Sequence, residues 1–261
     1  MQANRVVVIT GASGGIGAAL ARRLGQKDFR LVLAARRADA LRAVSNEIPA
    51  DTRPVVTDVT RRADVERLRD EALKAFGGVD IWVNNVGRGI NSPVLELTEE
   101  QFDLMMAVNV KSALYGMQAI APHFLARGRG HIVNVSSMLS RVPFATYRSA
   151  YNAAKHALNA LTANARVDLH AQCPDVHVTL VMPGLVTTEF GRHALHGSPP
   201  PPTMGAQNAD EVAAVIVQAI DHPVAEVYTN PAHPALALRY YEDVGAFEQE
   251  ALRQAQGGQR R

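Results

Sequence analysis

The residues most capable of chemistry are Tyr151 and Lys155, in the run Ser149-Ala150-Tyr151-Asn152-Ala153-Ala154-Lys155-His156-Ala157-Leu158. The segment is rich in alanine and leucine and keeps a helical period to Leu169, so residues four apart share one helix face. A tyrosine hydroxyl titrates near about 10 in isolation, too high to exchange protons freely at neutral pH, but a nearby ammonium stabilises the phenolate and lowers that value. The pair can serve as an acid/base. Taken alone, it also fits the edge of an ordinary amphipathic helix. A second group supports the chemical reading: Val133-Asn134-Val135-Ser136-Ser137 reads as a buried strand ending in hydroxyls. A serine at the carboxyl end of a strand can hold a substrate oxygen and share its developing negative charge. Ser137 is the candidate, with Ser136 and Ser140 as competitors.

A third group is Thr10-Gly11-Ala12-Ser13-Gly14-Gly15-Ile16-Gly17, where an apolar strand ends and a helix with period Ile16, Ala19, Leu20, Arg23, Leu24 begins. Glycines here let the backbone turn sharply and approach a pyrophosphate, whose charge is met by free amides and the helix dipole. Gly11, Ser13, Gly15, Ile16 and Gly17 are therefore candidate cofactor contacts. The same residues satisfy Gly11-x-Ser13-x-Gly15, the nucleophile elbow of α/β hydrolases. Such a serine normally follows several strands that build the sheet and oxyanion loop, whereas Ser13 follows only the first. His170, His193 and His196 supply no fixed partner for it.

These groups need a scaffold, and the sequence provides one. Short β-branched runs (Val6-Val7-Val8-Ile9, Leu31-Val32-Leu33, Val55-Val56, Ile81-Trp82-Val83, His131-Ile132-Val133-Asn134-Val135 and 176–181) alternate with helical segments such as 64–76, where Val65, Leu68, Ala72 and Phe76 share a face. The runs are apolar throughout, as in strands buried on both faces. The expected fold class is α/β: a single-domain Rossmann-type, doubly wound parallel sheet with helices on both faces. The 261 residues, 47% hydrophobic, suit one large domain over 1–256 rather than two. A formal charge of +2 without blocks of like charge argues against a nucleic-acid arm or a membrane-binding basic helix. Cys173 is the single cysteine and has no metal-ligand spacing around it, so no metal site is expected. The stretch from Met1 into the first strand is too short for a signal-peptide core or membrane span, and a cytoplasmic location is expected. Two stretches look irregular: 188–207, a candidate substrate lid containing Pro199-Pro200-Pro201-Pro202, and a polar tail over 257–261.

Together the glycine motif, Asn84-Asn85-Val86-Gly87 after a strand, Asn109 in a helix, Ser137 and Tyr151-x-x-x-Lys155 resemble the short-chain dehydrogenase/reductase family over roughly residues 5–190, in the correct order. The resemblance implies a nicotinamide oxidoreductase acting on a small carbonyl or alcohol. In it Tyr151 is the general acid/base, Lys155 lowers the Tyr151 pKa and holds the nicotinamide ribose, and Ser137 positions the substrate oxygen. Asn109 supports a water that links Lys155 to solvent. It further implies that Asp58 and Val59 contact adenine, that Asn85 and Gly87 pass beside the adenosine ribose, and that Pro183, Gly184 and Val186 lie near the nicotinamide amide. The chain departs from the family pattern in three places. The interval from Ser137 to Tyr151 is one residue longer than usual, Val86 replaces a common alanine, and the carboxyl terminus lacks a glycine-rich final turn. A homo-oligomer, dimer or tetramer, is expected. A nucleotide-binding sensor with the same fold is the alternative, although sensors of this kind usually lose the Tyr/Lys pair, which is present here.

Cofactor choice rests on Leu31-Val32-Leu33-Ala34-Ala35-Arg36-Arg37. NAD-specific folds place an acid at the end of this strand to bond the ribose 2′-hydroxyl. Here no acid appears before Asp39, and Arg36, with Arg37 beside it, can meet a 2′-phosphate through charge-assisted hydrogen bonds. NADP(H) is the expected cofactor.

Overall fold

The apolar runs fold because each is buried on both faces. They form β1 (Val6–Thr10), β2 (Arg30–Ala35), β3 (Thr52–Val56), β4 (Ile81–Asn84), β5 (Gly130–Val135) and β6 (Val176–Met182). Two-residue strands β7 (Val186–Thr187) and β8 (Gln207–Asn208) pair with each other beside the sheet, and β9 (Glu226–Tyr228) adds to its far edge. The resulting order is β3-β2-β1-β4-β5-β6-β9, with every pairing parallel. The computed structural model describes residues 4–197 and 205–258.

Because side chains alternate across the pleat, each strand feeds two cores. Val7, Ile9, Leu31, Leu33 and Val83 pack with Leu20 and Leu24 of α1 (Gly15–Gly25), Leu41 of α2 (Ala38–Asn46) and Ile216 of α7 (Ala209–Asp221). Val6, Val8, Val32 and Trp82 pack on the opposite face with Leu68 of α3 (Arg62–Phe76), Ile120 and Phe124 of α5 (Ser112–Arg127) and Leu169 of α6 (Ser149–Gln172). The chain winds outward from β1 to β3 and returns to β4, so strand order reverses between β1 and β4. Crevices for ligands open at such a switch, beyond the carboxyl ends of the strands.

Three further helices complete the frame: α4 (Glu99–Met106), α8 (His233–Glu242) and α9 (Val244–Gly258). The sheet has one strand more than the apolar pattern shows, since β9 is three residues long and lies at an edge. Helix α9 takes in Gly257 and Gly258, the start of the expected tail, while 259–261 lie outside the described residues.

Candidate active site

The glycine loop turns β1 into α1. Gly11 and Gly15 adopt positive φ of 70° and 53°, conformations that L side chains rarely take. A Cβ on Gly17 would overlap the Gly11 carbonyl oxygen and stand 2.7 Å from Asn85 Nδ2. The first turn of α1 therefore lies directly against the strand end. Asn85 fastens the neighbouring strand to this loop: its N–H donates to Thr10 Oγ1 at 3.0 Å and its Nδ2 to the Thr10 carbonyl at 3.0 Å. Its amide is thus committed to tying the end of β4 to the end of β1. Val86 packs against the core on the α3 and α5 face.

At the end of β2 both arginines are exposed. Arg37 Nη2 lies 3.5 Å from Ser13 Oγ, the outer limit of a hydrogen bond, so its guanidinium leans over the glycine loop. The side chain of Arg36 has no hydrogen bond or ion pair among the described residues. Beyond β3, Asp58 Oδ1 accepts from Thr60 N–H at 3.0 Å and from Thr60 Oγ1 at 2.7 Å, while Val59 is buried.

Ser137 and Tyr151 meet at the end of β5. Ser137 is the N-cap of a single 3-10 turn, Met138–Ser140, and its Oγ accepts from Leu139 N–H at 3.1 Å. The Ser137 side chain is also near enough to the Tyr151 phenol to act on its titration. The two competing serines are held elsewhere. Ser136 Oγ donates to Asn159 Oδ1 at 2.6 Å, and Asn159 Nδ2 donates to Ser140 Oγ at 2.8 Å. The 3-10 turn and the loop leading into α6 separate Ser137 from Tyr151 along the chain.

Burial dominates the electrostatics. It pushes the Tyr151 hydroxyl up from its ordinary value, opposed by the Ser137 hydroxyl and the Arg148 cation. It also pushes Lys155 down to about 7. Lys155 Nζ donates to the Val135 carbonyl at 2.8 Å and stands 5.7 Å from the centroid of the Tyr151 ring. Ser137 and Arg148 are the groups that oppose burial at Tyr151, and Lys155 stands beside its ring.

Asn109 lies in a π-helical turn, Ala107–Lys111, inserted between α4 and α5. The wider turn presents its amide to the loop after β4: Oδ1 accepts from Arg88 N–H, and Nδ2 donates to the carbonyls of Arg88 and Met105, all at 3.0 Å. Gly87 lies between Asn109 and Lys155, where a Cβ would stand 3.2 Å from Asn109 Oδ1 and 3.5 Å from Lys155 Nζ. On the other side, the Pro183 carbonyl accepts from Met138 N–H at 2.7 Å. Gly184 leaves room for the His233 ring, and Val186 sits in β7.

The first part of the expected lid, 188–197, is folded against the site. Leu195 bridges Ile90, and the Phe190 ring meets Tyr151 edge-on at 5.6 Å. The proline run and Met204 lie outside the described residues. Sequence reasoning missed Asn159, which holds two of the three serines, the Thr10–Asn85 clasp, and Arg148. None of these belongs to a local pattern, because each acts through a contact distant in sequence or through side-chain direction.

The glycine cradle accepts a dinucleotide sterically, since two of its glycines adopt left-handed backbone and a third has no room for a Cβ. Among the described residues no helix is long and apolar enough to cross a membrane. The model of the short chain dehydrogenase family matches residues 5–197. An uncharacterized oxidoreductase of Staphylococcus epidermidis is 32% identical over 228 residues, which span 87% of this chain and 97% of that protein. A short-chain dehydrogenase/reductase from Burkholderia phymatum, crystallised with NAD, superposes with a TM-score of 0.85 at 29% identity, covering 93% of this chain and 94% of that one. An alcohol dehydrogenase from Thermococcus sibiricus, complexed with 5-hydroxy-NADP, gives 0.76 at 30% identity, covering 86% and 95%.

Proposed function

The chain belongs to the short-chain dehydrogenase/reductase family, and on that premise we propose that it is an NADP(H)-dependent oxidoreductase interconverting a carbonyl and an alcohol, with Tyr151 exchanging the proton. The observation that carries this reading is the convergence of Ser137, the buried Tyr151 and Lys155 at the carboxyl end of the sheet, beside a glycine cradle. When bound, the nicotinamide supplies or accepts the hydride. Gly11, Ser13, Gly15, Ile16 and Gly17 would hold the pyrophosphate, Arg36 and Arg37 a 2′-phosphate, and Asp58 and Val59 the adenine. Asn85 and Gly87 would line the adenosine ribose, Tyr151 and Lys155 the nicotinamide ribose, and Pro183, Gly184 and Val186 the amide.

A substrate oxygen seated between the Ser137 and Tyr151 hydroxyls receives a hydrogen bond from each. Tyr151 then gives its proton to that oxygen in reduction, or takes one in oxidation. Ser137 stabilises the charge that develops on the oxygen. Lys155 is held by Val135, and its value near 7 suits it to exchange protons at neutral pH, with Asn109 fixing the loop beside it. Phe190 covers Tyr151 and limits the access of water. In the same reading the enzyme works in the cytoplasm as a homo-oligomer, with the exposed apolar residues Val94, Leu95 and Phe102 as contact surface.

The test follows nicotinamide absorbance over a panel of carbonyls and alcohols and measures dissociation constants for NADPH and NADH. NADPH is expected to bind at least about tenfold more tightly, an advantage of about 1.4 kcal/mol. Arg37→Ala, which removes the guanidinium beside Ser13, and Arg36→Ala should each reduce that advantage. Equal affinities, or tighter NADH, would refute the cofactor choice, and no turnover of any pair would refute the activity.

A further inference from the structure

Arg148 stands three residues before Tyr151, at the N-cap of α6. Helix stability gives no reason for an arginine there. It makes no side-chain capping bond, and a cation opposes the positive end of the helix dipole. Its guanidinium carbon lies 5.6 Å from the Tyr147 ring centroid and 5.8 Å from that of Phe190, the ring that covers Tyr151. Gly89 leaves the space the guanidinium occupies, because a Cβ there would overlap Arg148 Nη1.

What the guanidinium lacks is an anion. Surface arginines such as Arg22, Arg23 and Arg53 are each met by a carboxylate. Arg148 forms neither an ion pair nor a side-chain hydrogen bond among the described residues. The acid on the adjoining segment, Glu189, faces Arg192 at 3.4 Å, and the run from Ser198 to Met204 contains no acid. The field of Arg148 nevertheless reaches the Tyr151 hydroxyl.

We propose that Arg148 is a specificity-determining residue that binds a carboxylate on the substrate, making oxo acids and the corresponding hydroxy acids the preferred substrates. The inference rests on the proposed oxidoreductase activity. A guanidinium fork matches a carboxylate through two parallel charge-assisted hydrogen bonds, and flanking aromatic rings hold its plane. Excluding water around Phe190 strengthens that attraction. The carboxylate then fixes which carbonyl reaches Tyr151 and Ser137.

The experiment compares oxo acids of increasing spacing between carbonyl and carboxylate with their methyl esters, in the wild type, Arg148→Gln and Arg148→Lys. The wild type is expected to favour the best acid over its ester by about 10- to 100-fold in kcat/KM, the range of a hydrogen bond to a charged group. Arg148→Gln brings the ratio close to one, mainly through KM, and Arg148→Lys, which keeps the charge without the fork, falls between. A second readout needs no turnover: calorimetric binding of acid and ester to the protein saturated with NADP+. Tighter binding of the acid, lost in Arg148→Gln, supports the inference even if no carbonyl is reduced, a result that would sink the oxidoreductase reading alone. Equal binding of acid and ester, no binding of the acid, or acid binding unchanged in Arg148→Gln overturns it. So does a preference for carbonyls bearing a phosphate over those bearing a carboxylate.

Discussion

Ser136, Ser137 and Ser140 lie within five residues, yet the structure gives them different work, and alanine substitution should separate activity from stability. Ser136 and Ser140 sit on opposite ends of the buried Asn159 amide, at 2.6 and 2.8 Å. Removing the Ser136 hydroxyl leaves Asn159 Oδ1 without its partner, at a cost of about 1–3 kcal/mol, while Ser140→Ala leaves Nδ2 its longer bond to the Ser140 carbonyl at 3.3 Å and falls in the lower part of that range. At about 2–4 °C per kcal/mol for a chain of this size, Tm should fall by roughly 2–12 °C. Neither hydroxyl contacts Tyr151 in the hydrogen-bond network, so kcat should stay close to that of the wild type. Ser137→Ala removes the hydroxyl that acts on Tyr151 and a cap on one 3-10 turn. Its stability cost should be near 1 kcal/mol, while kcat falls about 100-fold or more, as when one oxyanion donor is removed. Steady-state rates and thermal unfolding of the three variants provide the assay. If Ser136→Ala or Ser140→Ala abolishes turnover while Ser137→Ala only lowers Tm, the assignment of the serines is wrong.

Gly17→Ala places a methyl against Gly11 and Asn85, so affinity for NADPH should drop at least about tenfold and Tm should fall with it, as overpacking costs about 1–3 kcal/mol; unchanged affinity in a titration would show that the loop does not hold the cofactor. His131 is buried, its value pushed down to about 3 by burial, with His177 and Arg5 adding to the effect. Between about 6.5 and 3 the unfolded chain therefore binds a proton that the folded chain does not, and stability falls as pH falls through that window. His131→Gln should flatten the fall in urea titrations between pH 6 and 4, and an unchanged slope would contradict the assignment.

Legibility in the sequence followed burial. Strands β1, β2, β4, β5 and β6 declared themselves because they are apolar along most of their length, as interior strands of a parallel sheet must be. The two edges were harder to read. Only Val55-Val56 of β3 stood out, because Thr52, Arg53 and Pro54 pair on one side only, and a proline is tolerated at an edge. β9, with Glu226 exposed and the other two residues half-buried, carried no apolar run. The glycine loop and the Tyr151/Lys155 pair were readable because their chemistry is local. The choice among three serines was not, since Asn159 decides it from two turns further along α6. Nor could the sequence tell Arg36 from Arg37, because the direction of a side chain leaving a strand depends on the loop it faces. The way Lys155 is held was hidden for a related reason. Spacing places an ammonium near the phenol, but burial at this depth lowers the lysine and turns it to a carbonyl.

The central claim is that Tyr151 passes the proton, and Tyr151→Phe tests it directly, since it keeps the ring and its packing on Phe190 but removes the hydroxyl. Single-turnover reduction of a carbonyl substrate at saturating NADPH, with NADPH affinity measured by fluorescence titration on the same protein, reads both properties. Hydride transfer should be almost abolished while affinity stays close to that of the wild type, because no phosphate contact is touched. Near-normal transfer in that variant would contradict the account.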